Sequence, residues 1–91
     1  MGILISVVED LNHIDSKKAL KKWEEHFDKK ASECSFLKCD KKTQGKLTGK
    51  FVKKAFSSDG ICIIPICTKH KDEIHKIPYV KDNTAFFNIN E

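Results

Sequence analysis

The spacing of cysteines around one histidine constrains this chain more than any other feature. Cys34 and Cys39 flank four residues in "CSFLKC", and further on Cys67 and His70 flank two in "CTKH". Zinc takes four thiolate or imidazole ligands in a tetrahedron, commonly as two close pairs, each supplied by a tight turn. A chain of 91 residues reads as one domain, 1–91, whose core is small enough to benefit from such a staple. The sequence therefore predicts one structural zinc ion on Cys34, Cys39, Cys67 and His70.

Two residues decide the fourth ligand. His70 follows Cys67 by three and shares a helical face with Ile74 and Ile77, so it points inward. Cys62 alternates with Ile64 and Ile66 along an apolar strand, on the face opposite Ile61, Ile63 and Cys67, which makes it a small buried hydrophobe. The alternative is Cys62 in place of His70, which requires the strand to break near Pro65.

Compartment follows from the same cysteines. The apolar opening "MGILISVV" has no basic flank, runs into Glu9 and Asp10, and is too short for an export signal or a membrane span. Its Gly2 and Ser6 fit a loose acylation pattern, too weak to place the chain on a membrane. A cytoplasmic chain with thiols rather than disulfides is the expectation.

Charge is uneven. Residues 16–54 hold 13 lysines and five acidic residues, net +8, and the remainder is net −4. Lys41, Lys42, Lys46, Lys50, Lys53 and Lys54 are the candidate contacts to phosphate or to an acidic protein surface. All 17 cations are lysine, so the planar fork that reads a phosphate or a guanine edge in two bonds is missing.

Periodicity supplies the frame. Leu20, Trp23 and Phe27 recur at helical spacing behind a cap at Asp15 or Ser16, which makes Trp23 a core residue. "KLTGKFVKKAF" and "ICIIPIC", joined at "SSDG", read as a hairpin. "TKHKDEIHKI" reads as a short helix that Pro78 ends, and "YV", "KDN" and "TAFFNI" as a terminal hairpin. "ILISVV" fits a strand or a short helix equally.

Cys34, Cys39, "IIPIC" and His70 resemble a group of small bacterial proteins in which two cysteines precede a Gly-x-His-Val motif and an "IVPLC" run with a Cys or His three residues on. Those proteins are similar in turn to zinc-stapled HNH (His-Me finger) domains. The resemblance spans most of the chain, through the Trp23 helix and the "IPYVKDNTAFF" tail. It implies an α+β fold of treble-clef or HNH type: an N-terminal helix on a β-hairpin, a short helix and a C-terminal hairpin. It also marks a departure. "GKFV" puts Phe51 where the family's general-base histidine stands, and no other histidine lies between Cys39 and Cys67.

The sequence holds no phosphate loop, dinucleotide fingerprint or Ser/His/Asp set. The expected function is non-catalytic: a zinc-binding module with a protein partner, of the accessory or inhibitory kind that phages and mobile elements carry. A nucleic-acid-binding module is the alternative, and a metal-dependent nuclease a third reading that Phe51 weakens.

Overall fold

The computed structural model of the protein describes residues 2–8, 16–39, 46–56, 60–70 and 72–89. Its elements in chain order are β1 (Gly2–Val7), α1 (Ser16–Phe27), β2 (Leu47–Lys54), β3 (Ile61–Cys67), α2 (Glu73–Lys76), β4 (Tyr79–Lys81) and β5 (Phe87–Asn88). The fold is α+β, with the N-terminal helix packed on antiparallel strands. Among the described residues the strands form one sheet in the order β4-β1-β2-β3-β5.

The β2–β3 hairpin is the centre of the fold. Its seven paired positions run from Leu47↔Cys67 to Lys53↔Ile61. β3 is buried on both faces, as its unbroken apolar run "ICIIPIC" predicts. Cys62, Ile64 and Ile66 pack into the larger core cluster with Ile5, Phe36, Val52, Ile74 and Val80. Ile63 instead joins Ala19 and Trp23 under α1, with Phe27, Phe51 and Phe87 around them. Strand alternation thus feeds two cores, one on each side of the sheet. Pro65 fits inside β3 because its carbonyl faces away from β2 and accepts the Ser35 N–H at 2.8 Å. Its missing N–H falls on that same side, so no hairpin bond is lost.

α1 turns Trp23 and Phe27 of the expected stripe toward the sheet, but Ala19 rather than the half-buried Leu20 completes the cluster beneath it. Ala19 and Trp23 are buried, and the Trp23 indole N–H donates to the Ala85 carbonyl at 2.8 Å. The helix backbone comes so close to β2 that a Cβ on Gly49 would sit 2.6 Å from the Leu20 nitrogen. His26, expected at the edge of the stripe, is exposed and stacks on Phe87 with ring centroids 4.5 Å apart.

Three expectations need correction or completion. The terminal strands do not form a hairpin with each other: β4 pairs with β1, and β5 pairs with β3, at opposite edges of the sheet. β4 covers the edge of β1 with three paired positions and β5 the edge of β3 with two, and Val80 fills the larger core. "ILISVV" is a strand, between β2 and β4. α2 is a single turn, Glu73–Lys76, so His70 precedes it rather than lying in it, although the Ile74 N–H still reaches the His70 carbonyl at 3.1 Å. Pro78 does end that turn, with Ile77 moved out of the helical region to φ −127° and ψ 80°. The Asp15 cap and the "SSDG" turn lie outside the described residues, apart from Gly60, whose φ is 88°.

Candidate metal centre

The four residues singled out by spacing converge. The ligand atoms of Cys34, Cys39, Cys67 and His70 all lie within 4.8 Å of one another, an arrangement that could hold a metal ion. Cys34, Cys67 and His70 are buried and Cys39 is partly so. A tetrahedral zinc, with bonds of about 2.3 Å to sulfur and about 2.0 Å to nitrogen, needs its ligand atoms under about 4 Å apart. The Cys67 Sγ is 2.8 Å and the Cys34 Sγ 3.9 Å from His70 Nδ1, both inside that limit, while the full spread of the cluster, up to 4.8 Å, is wider than a bound ion would leave it.

The second pair is set by the end of β3. Cys67 is its last residue, and the chain turns at once, with the His70 N–H donating to the Cys67 carbonyl at 2.9 Å. That turn brings the imidazole back over the sulfur. Being terminal, Cys67 also leaves the strict alternation expected of it and packs into the same cluster as Cys62.

The first pair has a different support. "SFLK" contains no glycine, so the segment is not a self-sufficient tight knuckle. It is laced to its neighbours instead. Ser35 donates to the Pro65 carbonyl of β3 and accepts from the Lys81 N–H of β4, both at 2.8 Å. Phe36 bridges to Val80, and the Leu37 N–H reaches the Tyr79 carbonyl at 3.1 Å. A turn then brings the Cys39 N–H onto the Phe36 carbonyl at 3.0 Å, folding the second thiol back toward the first. The segment therefore joins β3 to β4 and closes the sheet over the larger core, with Cys34 at the seam.

Around the cluster, the Cys67 N–H donates to the Cys34 sulfur at 3.1 Å, and the Phe36 ring packs on the His70 imidazole with centroids 4.9 Å apart. Spacing alone points to none of these supporting groups; Phe36 is apolar and the N–H donor is backbone. Cys62 lies outside the cluster. It is 1% exposed, with its sulfur 3.8 Å from the Gly60 carbonyl, as its strand parity predicts. None of the four cysteines is in a disulfide.

Burial pushes the Cys34 thiol up to about 12 from 9.0, outweighing the N–H groups of Cys67 and Phe36 that lower it. Burial also raises Cys39, against lowering contributions from Cys34 and from the Lys81 ammonium. In the metal-free chain both thiols therefore keep their protons through neutral pH, and an incoming cation must displace them. Zinc affinity, read by competition against a chromophoric chelator, is expected to fall about tenfold for each proton displaced per unit drop in pH. An affinity independent of pH would mean that the sulfurs do not bind as thiolates. For the metal-free fold the sign is opposite: the Cys34 contribution is whole below 9.0 and is lost as pH rises toward about 12.

Of the lysines expected to contact phosphate or an acidic surface, Lys41 and Lys42 lie outside the described residues. Lys46 and Lys53 are exposed, and Lys50 and Lys54 are half-buried, with the Lys54 ammonium 4.7 Å from the centre of the Phe86 ring. Alternation along β2 sends Lys50 and Lys54 to one face and Lys53 to the other. Phe51 pairs with Ile63 across the hairpin and packs in the cluster beneath α1. Among the described residues, no helix is long and apolar enough to cross a membrane.

Comparisons of the chain with protein-family models, with curated proteins and with solved structures find no match in any of the three.

Proposed function

We propose that the protein is a non-catalytic, zinc-stapled binding module that acts through a protein partner. The observation that carries this reading is the closed donor set. On one bound ion, three sulfurs and one imidazole nitrogen would complete a tetrahedron and leave no coordination position for a water or a substrate. Three sulfur ligands and one nitrogen favour zinc over hard cations, which take oxygen. The metal's part is then to hold the 34–39 segment against the end of β3.

The resemblance to HNH domains points the same way. In that reading the chain is a degenerate His-Me finger, and Phe51 occupies the place of the base. Phe has no lone pair and here serves the packing under α1. Plasmid DNA incubated with the protein and magnesium or manganese is expected to stay intact. Cleavage at a rate proportional to protein would replace the binding reading with a nuclease.

A protein partner is supported by the surface. Phe56 is 101% exposed on the connection after β2, where a bare aromatic ring has the character of an interface anchor. Capture of partners from source cells on the immobilised chain, with Phe56→Ser as comparison, tests this. The reading expects a protein retained by the native chain and released by the variant. Retention of nucleic acid instead, weakening steeply as salt rises, would favour the phosphate-contact alternative on Lys46, Lys50, Lys53 and Lys54.

A further inference from the structure

Beside the metal cluster lies a second feature that the staple does not use. A cleft of about 300 Å³ opens between the chain leaving α1, the Cys34–Ser35 segment and the crossing from β4 to β5. Lys29, Lys30 and Lys81 line it, with Glu33, Ser32 and Thr84. Trp23, Cys34 and Pro65 form part of its wall.

We propose that this cleft is a binding site for a phosphate monoester. The charge balance comes first: three ammonium groups and one carboxylate leave a net +2, which matches a phosphomonoester dianion and exceeds what one carboxylate needs. The donors come second. Lysine binds phosphate as a point charge, and the hydroxyl of Ser32 and the amide of Asn83 add neutral donors on the same wall. Size limits the ligand, because the volume is at the small end for ligand pockets and suits a phosphate with a short organic group. These residues are separate from the lysines of β2, so the site does not depend on a nucleic-acid reading of that strand. It goes beyond the zinc-stapled module and needs the staple only to place Cys34 and Ser35 in the wall.

Trp23 supplies the readout, being the sole tryptophan and part of the lining. Titration of the full chain with inorganic phosphate, and separately with a small phosphomonoester such as glycerol phosphate, is followed by Trp23 emission, with zinc content measured on the same sample. A saturable change is expected. The ester binding more tightly supports the monoester, whereas inorganic phosphate binding equally well or better overturns it in favour of free phosphate. Joint Lys29→Ala and Lys30→Ala substitution is expected to weaken binding at least about tenfold, whereas Lys53→Ala leaves it unchanged. Absence of a saturable change with either probe in a zinc-replete sample overturns the proposal, as does equal weakening by Lys53→Ala. Acetate competing as well as phosphate would also overturn it, by showing a general anion surface.

Discussion

Replacing any one of Cys34, Cys39, Cys67 or His70 is expected to strip the metal and unfold the domain, whereas Cys62→Ala leaves metal content unchanged. The size of the effect follows from what the ion stabilises. Structural zinc contributes on the order of 10 kcal/mol in small zinc domains, comparable to the whole stability of a domain this size. Loss of one ligand also leaves buried neighbours without their partner: Cys34 and Cys67 are fully buried, and His70 packs on Phe36 inside the same cluster. Serine at 34, 39 or 67 and alanine at 70 should each give a chain with less than one zinc and a broadened amide spectrum. Cys39, the most accessible of the four, should retain the most residual order. Cys62→Ala removes one small buried group and should cost about 1 kcal/mol, with zinc retained. Equal zinc loss in the Cys62 variant would reassign the fourth ligand.

The second large effect is expected at Gly49. A methyl group there would meet the Leu20 nitrogen at 2.6 Å and the Ala19 Cβ at 2.9 Å, closer than atoms pack. Both neighbours belong to α1, one of them as backbone, so the strain is relieved only by lifting the helix off β2. Gly49→Ala is expected to cost about 3 kcal/mol and Gly49→Val more, enough to unfold a marginal domain. Chemical denaturation of the two variants with zinc in excess measures this. A loss under about 1 kcal/mol would show that α1 sits further from the sheet.

Much of this arrangement is readable from the chain, and the unreadable part has a common physical cause. Trp23 and Phe27 on α1, the alternation from Cys62 to Ile66 and the ligand spacing are local signals that fall where their period puts them. Ala19 takes the place expected of Leu20, and Cys67 leaves the alternation at the strand end. Strand partners are not local. Nothing within "YVK" or "FN" says that one should reach β1 and the other β3, because the choice is made by edges formed far away in the sequence. The nearby "KDN" turn signal favours the hairpin that does not form. The same holds for the 34–39 segment. Its lack of glycine reads as a loose turn, but its shape comes from Pro65, Tyr79 and Lys81, which only the folded chain brings alongside. The cleft beside it is assembled from four separate stretches and leaves no mark on any of them.

The central claim is a single ion held by Cys34, Cys39, Cys67 and His70. X-ray absorption at the zinc edge, with elemental analysis of the same native sample of the full chain, tests it most directly. One zinc per chain is expected, with three sulfur neighbours near about 2.3 Å and one nitrogen near about 2.0 Å. A preparation free of transition metal, or a shell of four sulfurs or of oxygen ligands, would contradict it.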